Sequence, residues 1–146
     1  MSFVAEADSG HALVMDGAAE IGGRNLGSRP MELLLMGLGG CSSIDVVMIL
    51  QKSRQDIRDC VVELDAQRAD RDPKVFTQIH LHFVVSGKGL DPKRVAHAIG
   101  LSAEKYCSAS IMLGKTAVIT HDYEVRARRA RRHHRGDCGR RAASDA

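Results

Sequence analysis

The feature that most constrains the fold is an almost wholly apolar segment, Leu33–Leu50, that contains three glycines. Ahead of it, Ser28 can cap a helix, Pro30 suits the first helical position, and Glu32 suits the positive end of the helix dipole. The pattern predicts a helix from Pro30 to about Ser53. Because apolar side chains occupy nearly every side of this helix, we expect it to be buried all round.

The three glycines of this segment, Gly37, Gly39 and Gly40, would each cost about 1 kcal/mol in a solvated helix. We therefore expect another backbone to approach the helix there. The 146 residues are enough for one domain with a core, but only 3% are aromatic, so the core must consist of aliphatic side chains and Met. A chain of this size cannot cover such a helix on all sides, which predicts a homodimer.

The remaining segments show the alternation of strands or the start signals of helices. In the clearest strand, Ile79, Leu81, Phe83 and Val85 point inward. The predicted fold class is α+β, with one long and one medium helix packed on a sheet. The predicted strands are Phe3–Ala5, Ala12–Met15, Cys60–Gln67, Val75–Ser86 and Thr116–Val125, and the further predicted helices are Asp91–Tyr106 and Ser108–Gly114.

The charge of the chain divides into two unlike parts. The last 21 residues, Arg126–Ala146, hold eight Arg and two Asp, a charge of +6, while residues 1–125 carry −3. The last segment has no apolar periodicity, so we predict a domain over 1–125 and a disordered basic tail over 126–146. The tail attracts anionic surfaces, but it has no aromatic residue and no groove-reading scaffold, so we expect no specific nucleic-acid binding.

The compartment follows from what the sequence lacks. The residues Met1–Asp8 have neither the basic start nor the apolar run of a signal peptide. The uncharged stretch Leu33–Ile44 is shorter than the roughly 20 apolar residues of a membrane span. We therefore expect a cytoplasmic protein with no membrane partner, in which the four cysteines are reduced or catalytic rather than structural bridges.

Two of the four cysteines, Cys41 and Cys107, lie at chemically distinct places. Cys41 is inside the apolar helix. Cys107 immediately precedes a predicted short helix, whose unpaired N–H groups favour a thiolate, and Lys105 adds positive charge nearby. From local chemistry alone, free cysteines are more often small buried hydrophobic groups. Cys60 begins a strand and fits that description.

The two cysteines also lie within longer motifs that resemble the OsmC/Ohr family. Pro30–Leu35, followed by glycines and Cys41, resembles the first-cysteine helix, and Cys107–Ser110 resembles the second-cysteine motif, usually Cys-Pro-Val-Ser. The resemblance covers roughly residues 10–125 and is strongest to the YhfA-type branch, in Gly39–Val46 and Ser102–Ser108. It implies an OsmC-like fold in which long central helices, flanked by antiparallel sheets, form an intertwined homodimer.

The resemblance also implies chemistry. In this family the helix cysteine, here Cys41, attacks an organic or hydrogen peroxide, and the other, here Cys107, resolves the resulting sulfenic acid. A thiol reductant then regenerates the pair, and no cofactor is needed. The helix-terminus argument favours Cys107 as the thiolate instead, so the order of attack stays open.

The chain departs from the family's peroxidases at the residues that activate the thiolate. Met31 stands where those enzymes carry a Glu that holds an upstream Arg, and Glu32 follows about 100° further round the helix. Arg24 and Arg29 are nearby basic residues, but neither clearly occupies the arginine position. The resemblance therefore implies slower peroxide reduction, or a redox substrate other than a peroxide.

Three further residues have both a functional and a structural interpretation. Asp45 lies four residues after Cys41 and on the same helix face, where it either orients a group near the thiol or, as we favour, forms a structural pair. His80 and His82 share a strand face without an evident third ligand, so we predict no metal site.

The main alternative function is a non-catalytic protein that holds a hydrophobic ligand in the dimer cleft.

Overall fold

A computed structural model describes residues 1–127, and the chain forms two helical segments and two small sheets. A hairpin comes first, then the long helix, then a three-stranded sheet whose last strand is reached through the second helical segment. The elements are β1 (Ser2–Glu6), β2 (Ala12–Asp16), α1 (Pro30–Lys52), β3 (Asp56–Arg68), β4 (Phe76–Lys88), α2 (Pro92–Leu101), a π-helical turn (Ser102–Tyr106), α3 (Ser108–Leu113) and β5 (Val118–Ala127).

Helix α1 begins at Pro30 as predicted, but a different residue occupies the cap. Arg29, not Ser28, has the extended cap conformation, and the Glu32 carboxylate accepts its backbone N–H at 2.9 Å. Glu32 is therefore used to satisfy the first turn of the helix.

Within one chain, α1 is buried along one stripe and not all round, so the expectation of burial on every side is wrong for the single chain. Leu38, Ser42, Val46 and Leu50 face β3, α2 and α3. On the other side, large apolar side chains are exposed, up to 63% for Ile44. The exposed group is Leu34, Met36, Ile44 and Met48.

The predicted approach of another backbone to the three glycines is wrong for the single chain, in which only Gly39 has a close neighbour and that neighbour is a side chain. A Cβ added to Gly39 would lie 2.9 Å from Leu64 Cδ1 of β3, so the helix lies tightly on the sheet there. Gly37 and Gly40 have open space around them in the single chain.

By length and mean hydropathy, 2.0 over its most apolar 18 residues, α1 is able to span a membrane. The prediction of no membrane span rested on the shorter uncharged stretch Leu33–Ile44. In the structure the helix packs one face on β3 and α2.

The three-stranded sheet has β4 at its centre and is mixed, which corrects the expectation of antiparallel sheets. β3 pairs with β4 antiparallel, but β5 runs parallel to β4. A parallel neighbour requires a crossover, and α2, the π turn and α3 form it. The inward residues of β4 are buried as predicted: Ile79, Leu81, Phe83 and Val85.

The boundaries of the later elements differ slightly from prediction. Asp91 caps α2 by accepting the Lys93 N–H at 2.9 Å, and the predicted helix to Tyr106 ends in the π turn. β5 includes Arg126 and Ala127, which pair with Ser86 and Gly87 and so belong to the sheet. The rest of the predicted tail, 128–146, lies outside the described residues.

Candidate functional site

The crossover brings the two motif cysteines together. The sulfurs of Cys41 and Cys107 and a carboxylate oxygen of Asp45 all lie within 4.8 Å of one another. Cys41 and Asp45 come from one face of α1, since they are four residues apart. Cys107 arrives from the end of the π turn, 66 residues later in the chain.

A buried serine of this turn forms hydrogen bonds with α1. The Ser102 hydroxyl lies 3.1 Å from Asp45 Oδ2, to which it donates, and 3.4 Å from the backbone carbonyl of Ser42. Ser102 is fully buried. These contacts fix the position from which Cys107 faces Cys41.

Cys107 is fully buried and occupies the cap position at the start of α3. Its sulfur accepts the Ser42 hydroxyl at 3.3 Å and the Ser110 backbone N–H at 3.4 Å. Burial alone would raise the pKa of the Cys107 thiol, but hydrogen bonds from Ser110, Ser42 and Cys41 together hold this pKa below its ordinary value. The predicted thiolate-favouring helix end is therefore present at Cys107.

Cys41 has a different environment in the middle of α1, where it is half-buried. The Ala109 backbone N–H lowers the pKa of its thiol, but burial, the neighbouring Cys107 and the Asp45 carboxylate outweigh that donor and raise it. The negative charge of the pair is thus favoured on Cys107, while Cys41 is the sulfur that solvent reaches.

The predicted supporting residues are not at the thiols, with the exception of Asp45. The Arg29 guanidinium donates to the Gly27 carbonyl and the Asn25 side chain, both at 3.3 Å. The Arg24 backbone N–H donates to Asp16, and Lys105 lies over the ring of its neighbour Tyr106 at 5.3 Å. In residues 1–127, Arg24, Arg29, Glu32 and Lys105 make no hydrogen bond or ion pair to either sulfur.

Sequence reasoning missed the serines and preferred a structural role for Asp45. Ser42, Ser102 and Ser110 supply hydroxyl or N–H donors around the pair. The available signal was their position, since Ser42 directly follows one cysteine and Ser110 lies three residues after the other, at a helix start.

An open groove adjoins the pair on the side of Asp45. Its volume is about 480 Å³, and it runs along α1 towards Lys52, opposite α2 and the π turn. Met48, Ile49, Leu101 and Tyr106 give it a largely apolar lining.

The histidines of β4 lie elsewhere, on the outer face of the sheet. His82 Nδ1 lies 2.5 Å from Asp122 Oδ1, and His80 Nε2 lies 3.3 Å from the same oxygen. The hydrogen bond to Asp122 raises the pKa of His82. Within residues 1–127, the residues close enough to share a metal ion are Cys41, Asp45 and Cys107 rather than these histidines.

Comparisons with known proteins show the family of this chain. The family model "OsmC-like protein" matches residues 23–122. Protein YhfA of Escherichia coli K12 is 51% identical over 128 residues, which cover 86% of this chain and 90% of YhfA.

Solved structures share the fold. A hypothetical protein from Aquifex aeolicus VF5 is 31% identical with a TM-score of 0.69, covering 88% of this chain and 97% of that one. The organic hydroperoxide resistance protein OhrB of Bacillus subtilis has a TM-score of 0.56 at 18% identity, covering 85% and 96%, a likeness of fold alone. By its family model and its identity to YhfA, the chain belongs to the OsmC-like protein family.

Proposed function

We propose that this protein is a dithiol redox enzyme that reduces a peroxide, with Cys41 attacking and Cys107 resolving. The observation that carries the proposal is the pair of facing sulfurs: Cys41 is half-buried and the pKa of its thiol is raised, whereas Cys107 is buried and the pKa of its thiol is lowered. Two cysteines that only filled space would need no such division.

The division of the pair suggests a reaction in which both sulfurs act. As the Cys41 sulfur attacks the peroxide, its proton passes to the Cys107 thiolate, the O–O bond breaks, and the alkoxide leaves as an alcohol after protonation from solvent. Cys41 then carries a sulfenic acid. The Cys107 sulfur attacks Cys41, its proton leaves with the hydroxide as water, and a disulfide forms.

The balance of the cycle is one peroxide and two thiols giving one alcohol, one water and one disulfide. An external thiol reductant supplies two hydrogens to restore the pair. No cofactor takes part in these steps.

The groove beside Asp45 favours an organic hydroperoxide over hydrogen peroxide. Its lining by Met48, Ile49, Leu101 and Tyr106 offers apolar surface to an alkyl or aryl group. The name of the Bacillus subtilis neighbour, an organic hydroperoxide resistance protein, agrees with this substrate class.

We expect the rate to be modest. Nearby positive charge increases the fraction of a cysteine present as thiolate, but in residues 1–127 the Arg29 guanidinium is hydrogen-bonded to Gly27, Lys105 lies over Tyr106, and Arg24 makes no hydrogen bond to either sulfur. The donors to the pair are neutral hydroxyl and N–H groups.

The groove also supports a second candidate, a binding protein for a hydrophobic ligand in which the neighbouring cysteines take no chemical part. Thiol chemistry separates the two candidates. A binding protein retains ligand without turnover and does not require either sulfur to be a thiolate.

We infer that two chains associate through the exposed side of α1. Leu34, Met36, Ile44 and Met48 form an apolar surface on this helix that the single chain leaves uncovered. Light scattering at low micromolar concentration should give a dimer, and a monodisperse monomer would contradict the inference.

Steady-state turnover with an organic hydroperoxide and a dithiol reductant tests the function. The parent should turn over, Cys41→Ser should be inactive, and Cys60→Ser, which removes a half-buried thiol outside the pair, should keep the parent's activity. Turnover that survives Cys41→Ser, or its absence in the parent with all peroxides, would reject the proposal.

A further inference from the structure

We propose that Cys41, Cys107 and Asp45 form a zinc-binding site that, when loaded, holds the thiol pair reduced and unreactive. The zinc site stands on geometry and donor chemistry, whereas its effect on turnover rests on the proposed function. The sequence did not predict this site, because Cys107 lies far along the chain from Cys41 and Asp45 and the three residues form no recognised metal-binding motif.

The distances suit a tetrahedral ion. All three ligand atoms lie within 4.8 Å of one another. Zinc holds sulfur at about 2.3 Å and carboxylate oxygen at about 2.0–2.2 Å, which places two tetrahedral sulfurs about 3.8 Å apart. That sulfur separation is at most about 1 Å shorter than the 4.8 Å limit, a difference within the range of side-chain rotation.

The donors select the kind of ion. Two thiolates and one carboxylate form a borderline-soft set that suits zinc, whereas calcium and magnesium require more oxygen ligands than the three residues provide. Three protein ligands leave a fourth position for water. Asp45 also lines the groove, so this position has a route to solvent.

An outer shell that orients these ligands is already present. Ser102 donates to the Asp45 carboxylate at 3.1 Å, and Ser42 donates to Cys107 at 3.3 Å. The Ser110 N–H reaches the same sulfur at 3.4 Å. Contacts of this kind fix metal ligands and strengthen binding.

Zinc binding and disulfide formation exclude each other. Zn²⁺ displaces one proton from each thiol still protonated and forms two zinc–sulfur bonds, with no change in oxidation state. The coordinated sulfurs then share their electron pairs with the metal, so Cys41 no longer attacks a peroxide and Cys107 no longer resolves. Zinc would thus store the enzyme in a reduced state.

The test uses the full-length reduced chain in which His133→Ala, His134→Ala and Cys138→Ser remove other potential ligands. Zinc is titrated against a chromophoric chelator, and cadmium–thiolate absorption in the ultraviolet reports on sulfur ligation. We expect one zinc per chain. Cys41→Ser and Asp45→Asn should each weaken binding by at least about tenfold. Cys60→Ser, the matched control, should bind as the parent does.

Circular dichroism verifies that each variant is folded. The protein with Cys41 and Cys107 joined in a disulfide provides a test without substitution at the site, since it should bind no zinc. Equal zinc affinity in the parent and in Cys41→Ser or Cys107→Ser would overturn the site. Excess zinc should suppress peroxide turnover and a chelator should restore it; zinc bound with turnover unchanged would overturn the storage role. If the zinc-free protein shows no turnover, the peroxidase proposal is rejected but the zinc site is not, because the zinc titration tests the site independently.

Discussion

Cys41 and Cys107 are neighbours in space but occupy opposite kinds of position on their helices. Cys41 is in the middle of α1, where the backbone groups are paired with one another, and it lies beside the Asp45 carboxylate. Cys107 is at the start of α3, where a serine hydroxyl and an unpaired N–H donate to its sulfur. The buried Cys107 sulfur therefore holds negative charge more easily than the half-buried Cys41 sulfur, because local hydrogen-bond donors outweigh burial at this site.

The largest effects should come from removing one sulfur at a time. With one equivalent of organic hydroperoxide, Cys107→Ser should form a sulfenic acid at Cys41 slowly, because the thiolate that accepts the Cys41 proton is lost, and should stop there, because no resolving thiol remains. Cys41→Ser should give none. A dimedone-type reagent followed by peptide mass analysis locates the adduct, and an adduct at Cys107 in the parent would reverse the assigned order.

The hydrogen bonds to Cys107 give the next effect. Ser42→Ala removes a hydrogen-bond donor to the thiolate, so the pKa of Cys107 should rise. The pH dependence of alkylation, followed at each cysteine by mass, measures it. The fraction alkylated at neutral pH should fall accordingly.

Ser43→Ala is the control for that variant. Its hydroxyl donates to the Gly39 carbonyl within α1 at 2.7 Å, not to Cys107. An equal shift of the Cys107 profile in both serine variants would show that helix packing, rather than the donor, sets the pKa.

The features that the sequence predicted are those determined by residues close together in the chain. The start of α1 at Pro30, the inward residues of β4 and the helix end at Cys107 were predicted, since neighbouring residues determine them. Alternation in β5 carries no information on strand direction, so its parallel pairing was missed. The contact between Asp45 and Ser102 depends on where the crossover places the π turn, which no local pattern encodes.

A smaller effect should follow from Asp45→Asn. The carboxylate is the weakest of the groups that raise the pKa of Cys41, so neutralising it should lower that pKa slightly. Alkylation of Cys41 should then begin at a slightly lower pH in the metal-free protein. An unchanged or higher value would indicate that Asp45 stabilises, rather than opposes, the Cys41 thiolate.

The smallest effect is expected from Met31→Glu. Glu32 already caps α1 by accepting the Arg29 N–H, and the Arg29 guanidinium already donates to Gly27, so a carboxylate at position 31 would have to displace that hydrogen bond to hold Arg29. Peroxide turnover should remain within about twofold of the parent, as for substitutions away from specific interactions. A large increase would mean that an arginine does reach the thiols once a partner is supplied.

The central claim, that Cys41 and Cys107 form one redox pair, is tested most directly by disulfide mapping after one equivalent of organic hydroperoxide. Protease digestion without reduction, followed by mass spectrometry, should yield a single cross-linked peptide joining Cys41 to Cys107. The chain should lose two hydrogens, with Cys60 and Cys138 still alkylatable. Chains linked only through Cys138, or Cys41 and Cys107 both still free after the peroxide is consumed, would contradict the account.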